Sequence, residues 1–174
     1  MAADLCRGCQ PRRHRARAGL GYRVRGLTGT PCVLCEAVGG LPVFLNEDLR
    51  IIQAIEPGFP ALYRVIWNRH VAEFSDLTAA ERNTCMAAVV QVERALRAQL
   101  QPDKINLAAL GNLVPHLHWH VVARFDWDSH FPGSIWSISQ RPDNAGKLAA
   151  ISARCVDVNR LIAHEMAQFQ HQQA

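Results

Sequence analysis

The segment Pro115-His116-Leu117-His118-Trp119-His120-Val121-Val122 constrains this chain more than any other stretch. Side chains on a β-strand alternate between two faces. A strand here puts His116, His118 and His120 on one face and Leu117, Trp119 and Val121 on the other. Burial of the apolar set fixes the register, because a one-residue slip exchanges the two sets. The segment therefore calls for a sheet packed on a core, with three imidazoles side by side on the opposite face. Imidazole acts as nucleophile, base or acid near neutral pH. Three on one strand face can bind zinc, bind phosphate or carry out covalent phosphoryl chemistry; the bland alternative is a chance cluster of exposed histidines.

The flanking sequence supplies the rest of the sheet and its cover. Leu41 to Leu45 and Leu49 to Ile55 read as strands, and Asn46-Glu47-Asp48 between them reads as a turn. Pro57-Gly58-Phe59-Pro60 interrupts the chain before a further strand, Ala61 to Trp67. Ile105 to Leu110 and Leu117 to Arg124 complete the set, separated by the Gly111-Asn112 break and Pro115. A helix is predicted from Ala79 to Gln101, where Thr78 and Glu81 form a capping box and Pro102 stops it. Its apolar stripe is Cys85, Val89, Val92, Leu96 and Leu100. A second helix, from about Lys147 to Phe169, buries Leu148, Ile151, Cys155, Val158 and Ile162. Residues 125–142 read as an ordered loop. Antiparallel strands with two separate long helices define an α+β class.

A chain of 174 residues suits one core. Apolar runs such as Leu107 to Leu110 fall far short of the ~20 residues that span a membrane, so no membrane partner is expected. The N-terminus lacks the apolar stretch of a secretory signal, which makes the cytoplasm the default expectation. The net charge of +4 is uneven. Residues 1–26 hold seven arginines against one acid, Asp4, a net +6 that leaves −2 for the remainder. Residues 1–30 are accordingly read as a flexible basic arm, and residues 31–174 as the folded domain with its C-terminal helix. The arm suits a solvated tail better than a nucleic-acid contact. Four of the six cysteines form two pairs, Cys6-x-x-Cys9 and Cys32-x-x-Cys35. Without an export signal, such pairs point to metal or redox chemistry rather than disulfides.

The run His-Leu-His-Trp-His-Val-Val resembles the pattern that names the histidine triad superfamily. The resemblance extends over about residues 31–137. It takes in Cys32-x-x-Cys35, the strand ending Val65-Ile66-Trp67-Asn68-Arg69-His70, the long helix, and the run from Asn106 through Gly111 to the triad. Asp128 to Trp136 is similar to bacterial members. The resemblance implies an α+β roll of about five antiparallel strands and two main helices, commonly a homodimer. It implies a nucleotide substrate, attacked by His118 to give a covalent nucleotidyl-histidine. His120 would contact the phosphate and help the leaving group, and His116 would orient the site. Asn106 would lie near the phosphate, and the turn of Asn112, Leu113 and Val114 would offer backbone N–H groups to its oxygens. A third histidine at position 120, where transferases of the superfamily carry Gln, implies hydrolysis. Many members place an Asp where this chain has Ala54, and Gln where it has Asn112.

No metal is required for this chemistry, yet the resemblance also implies a structural zinc site built from Cys32, Cys35, His70 and His116. A competing set joins Cys6, Cys9, Cys32 and Cys35, and a chain without zinc is the third alternative. The leading functional expectation is a hydrolase of nucleotide phosphoramidates or dinucleoside polyphosphates. The alternatives are a zinc-containing nucleic-acid-binding module, suggested by the arm and paired cysteines, and a weakly active scaffold with an interaction role.

Overall fold

The computed structural model describes residues 32–173. The predicted basic arm, with Cys6 and Cys9, lies outside the described residues. Five strands form one antiparallel sheet in the order β1-β2-β3-β5-β4. They are β1 (Leu41–Leu45), β2 (Leu49–Gln53), β3 (Leu62–Trp67), β4 (Lys104–Ala109) and β5 (His118–Arg124). Pro42 sits on the edge strand β1, beside an irregularity in its pairing with β2; an edge is where a residue without an N–H does least harm.

Two long helices, α2 (Ala79–Leu100) and α3 (Ala145–Gln173), pack on one face of the sheet; α1 (Val33–Glu36) is a single turn. Thr78 and Glu81 make both halves of the capping box. The helix closes on Gln101 in the left-handed conformation, φ 51°, immediately before Pro102. The predicted stripe of Cys85, Val89, Val92, Leu96 and Leu100 is buried. It meets Leu49, Ile51, Val65, Val121 and Ala123 from the sheet and Ile151, Cys155, Val158 and Ile162 from α3. α3 starts two residues earlier than its periodicity suggests, because the Asn144 side chain accepts the Lys147 N–H at 3.0 Å. It also runs past Phe169 to Gln173; the polar residues there are adequate helix formers. No helix among the described residues is long and apolar enough to cross a membrane.

The opposite face carries the histidines, and it is covered as well. At one end Leu34 from α1 packs on Ile52 and Ile66. At the other, Ile135 from the 125–142 loop packs with Ala54, Phe59, Leu62 and Val122. Arg50 ties the first cover down: its guanidinium donates to the carbonyls of Val38 and Leu34 and to Asn68 Oδ1. Arg124 ties the second, through a two-pronged pair with Asp128 at 2.8 and 2.9 Å. Cover on both sides explains why β2, β3 and β5 are buried almost throughout, polar residues included.

Candidate functional site

His118 and His120 stand on β5 between the two covers. His118 lies opposite Ile66, and His120 lies opposite Arg64 on β3 and Ala108 on β4. Their rings meet edge to face, with centroids 4.8 Å apart. His116 differs from the sequence-based expectation of three histidines on one strand. β5 begins at His118, and the His116 N–H bonds to the Val114 carbonyl at 2.8 Å. Pro115 has no N–H to offer a ladder, and sheet-like pairing resumes only at Leu117, which bonds to Val71 and Trp67. All three histidines are buried, at 0, 8 and 5% exposure, rather than displayed to solvent.

Hydrogen bonds fix each ring's tautomer. His118 Nδ1 donates to the His116 carbonyl at 2.7 Å, which leaves Nε2 with its lone pair. His120 Nδ1 donates to the Ala108 carbonyl at 3.3 Å. His116 is turned the other way: Nε2 donates to the Trp67 carbonyl at 2.6 Å, so Nδ1 carries the lone pair. His116 thus orients His118 through its backbone carbonyl, while its own ring faces elsewhere. Burial pushes all three imidazoles below the ordinary histidine value. For His120 burial comes first, then repulsion from His118 whenever that ring is protonated and from Arg64, and the result is about 4. The histidines therefore rest neutral at pH 7.

The His116 lone pair faces a cluster. Its Nδ1 lies 3.4 Å from Cys32 Sγ, 3.5 Å from Cys35 Sγ and 3.3 Å from His70 Nδ1. Cys35 Sγ and His70 Nδ1 are 3.3 Å apart. The four ligand atoms all fall within 4.8 Å of one another. Tetrahedral zinc with ordinary Zn–S and Zn–N bonds separates its ligands by roughly 3.3–3.8 Å. The donor set, the spacing and the His116 tautomer therefore fit zinc in a closed structural site. Burial first, then the neighbouring Cys32, push the Cys35 thiol above its ordinary value, with the charge of the Arg50 guanidinium acting against them.

The remaining predicted residues fall around the histidines. Asn106 is half-buried on β4, two positions from Ala108; its Oδ1 accepts from Arg124 at 2.7 Å, leaving its Nδ2 donors. Gly111 takes φ +84°, a conformation that favours glycine, and starts the turn. In that turn Asn112 and Leu113 are exposed, and Val114 packs against the Leu34 cluster. Trp136 meets the edge of His120, with centroids 5.1 Å apart. Trp127 stacks on Phe125, Trp119 packs on Phe74, and His130 packs on Phe59. A cleft of about 380 Å³ opens beside His120, lined by Lys104, Asn106, Ala108, Val122, Ser134 and Trp136 among others. Arg50, Arg64 and the Trp67 carbonyl were not singled out by the sequence. An arginine inside an otherwise apolar strand was the one available signal for the first two.

The HIT domain family model matches residues 41–127, half of the chain, and the chain belongs to that family. A histidine triad protein from Bradyrhizobium japonicum has the same fold, with a TM-score of 0.58 and 26% identity over 72% of this chain and 92% of that one. A histidine triad protein from Sinorhizobium meliloti gives 0.57 and 25%, over 75% and 96%. A zinc-bound histidine triad family protein from Mycobacterium smegmatis, 23% identical, shares the fold at a TM-score of 0.51, over 81% and 96%. Among curated proteins, AP-4-A phosphorylase of Mycobacterium tuberculosis is 29% identical over 135 residues, 74% of this chain. The match spans 64% of that relative's length.

Proposed function

We propose that this chain hydrolyses a nucleotide phosphoramidate or dinucleoside polyphosphate through a covalent nucleotidyl intermediate on His118. The observation that carries this reading is the bond from His118 Nδ1 to the His116 carbonyl, which holds a neutral ring with the Nε2 lone pair free. In the first step Nε2 bonds to phosphorus, and the bond from phosphorus to the leaving group breaks with its electron pair, an amine leaving group taking a proton from His120. In the second, water attacks phosphorus, the N–P bond returns its pair to His118, and the proton of water passes to solvent. Splitting the displacement in this way replaces one hard step by two easier ones. His120, its ring 4.8 Å from that of His118 and its Nδ1–H on the Ala108 carbonyl, meets the leaving atom with a proton taken up on Nε2 when the phosphate charge arrives beside it. Asn106 Nδ2 and the N–H groups of Asn112, Leu113 and Val114 are the neutral donors for the charge that builds on phosphorus. The cleft beside His120 has the size of a small-ligand site.

Cys32, Cys35, His70 and His116 would hold zinc. Bound there, the metal supplies structure, pinning the carbonyl that orients His118; with four protein ligands it has no position for water.

The test is direct. Native chain incubated with adenosine phosphoramidate or a diadenosine polyphosphate gives an AMP adduct on His118, seen by mass spectrometry, and turns the substrate over. His118→Ala gives neither. A native chain that forms no adduct and turns over no nucleotide sinks the reading. The likeness to a phosphorylase favours a second reading, in which phosphate takes the place of water. Added inorganic phosphate then converts the product of the second step from AMP to ADP.

A further inference from the structure

Arg64 sits on the histidine face of β3, directly across from His120. It is half-buried, its Nε is shielded from solvent, and that atom has no hydrogen-bond partner among the described residues. None of the ion pairs among the described residues includes it. The other two arginines on this face are committed: Arg50 to the carbonyls of the cysteine loop, Arg124 to Asp128 and Asn106. Lys104 stands at the far end of β4, four residues from Ala108. Among the described residues, Arg64 is therefore a cation next to the reacting histidines that no described group satisfies.

A guanidinium in this position is costly. Partial desolvation weakens its hydration, and a buried N–H without an acceptor has lost its water with nothing in exchange. An apolar side chain would fill the same place on the strand without that cost, as Leu62 and Ile66 do on the same face. An anion arriving beside His120 would supply the missing acceptor. Guanidinium matches phosphate oxygens in geometry as well as charge.

Register says which phosphate. The attacked phosphorus must come within reach of His118 Nε2, and His118 lies opposite Ile66, not Arg64. Arg64 is displaced two residues along β3, beside His120. On this face β2 and β3 present Arg50, Ile52, Leu62, Arg64 and Ile66, with Ala54 just past β2, and no carboxylate among them to accept sugar hydroxyls. The group that lies over them is better matched by negative charge than by hydroxyls.

Building on the hydrolase reading, we propose that Arg64 binds a second phosphate of the substrate, so that the site prefers nucleotides carrying at least two phosphates to nucleoside monophosphates. That second phosphate either follows the attacked one in a polyphosphate chain or is carried on the sugar. Both present the same dianion-like oxygens to Arg64.

The experiment measures binding to the full chain by calorimetry at fixed salt. The probes are AMP, the methylene analogue of ADP, and adenosine 3′,5′-bisphosphate. Wild type binds at least one of the two-phosphate probes about tenfold or more tighter than AMP, as one charge-assisted contact requires. The probe that is preferred identifies the source. Arg64→Met removes the preference while AMP binding persists, which also shows that the variant is folded. Arg64→Lys keeps the charge and retains part of the preference. Equal binding of all three probes by wild type overturns the proposal. So does a preference that survives in Arg64→Met, or an equal loss of AMP and the two-phosphate probes in a folded Arg64→Met. Binding is independent of turnover, so a chain that shows the Arg64-dependent preference but forms no His118 adduct loses the hydrolase reading and keeps this one.

Discussion

At the scale of single residues, neutrality is what the site imposes on its histidines. His120 is 5% exposed and is flanked by His118 and, across the strands, by Arg64. Burial first, then repulsion from His118 when protonated and from Arg64, push it down to about 4. Unfolded, the same imidazole takes up a proton near pH 6.5. The folded chain refuses that proton, so this contribution to stability is complete above the unfolded value and is lost as pH falls toward the folded one. Between pH 7 and pH 4.5 the loss from this residue amounts to roughly 2–3 kcal/mol. Urea unfolding at the two pH values measures it. His120→Gln should shrink the difference by about that amount, leaving the smaller declines due to His116 and His118. An unchanged difference in His120→Gln would show that the ring is not held neutral by its surroundings.

At the scale of elements, the 125–142 loop is held over the histidine face by the packing of Ile135 and by one buried pair, Arg124 with Asp128. Burial alone would raise the Asp128 carboxyl, but the Arg124 guanidinium and the N–H groups of His130 and Phe125 outweigh it and hold it below its ordinary value. Asp128→Asn keeps the shape and removes the charge, stranding Arg124 where it is 1% exposed. A loss of about 3 kcal/mol is expected by denaturant titration, because breaking one side of a buried pair leaves the other uncompensated. Replacing both partners, Arg124→Met with Asp128→Leu, should recover most of it. The same contrast explains what was legible in the sequence. Capping at Thr78 and Glu81, the α2 stripe and the alternation along residues 117–124 are local signals, and the five strands and two long helices appear within a few residues of their predicted bounds, whereas the single turn α1 was not predicted. The burial of the histidines was not legible, because the covers come from residues 32–38 and 125–142, distant in sequence from β5. His116 left the strand because Pro115 interrupts pairing, and that freed its ring to meet Cys32 and Cys35 more than 80 residues away. Arg64 carried no periodic signal; only its pairing with His120 gives it meaning.

At the scale of the whole described chain, three distant segments converge on one cluster: the Cys32–Cys35 turn, His70 just past β3, and His116 just before β5. The closing of such long loops is what a metal clip stabilises most. Three described pieces of geometry agree on it: two thiols, two imidazole nitrogens within ligand spacing, and a His116 tautomer set by Trp67. We expect the native chain to carry one equivalent of zinc by elemental analysis. Cys32→Ser should lose it and lower Tm by roughly 5–10 °C, and chelation of the native chain should do the same. Cys6→Ser combined with Cys9→Ser should retain the metal, since the cluster around His116 needs neither. If zinc instead follows Cys6 and Cys9 and is indifferent to His70→Ala, the ligand set joining the two cysteine pairs is correct. The His116 carbonyl that orients His118 would then be held by the Trp67 bond and the packing of Leu117 alone.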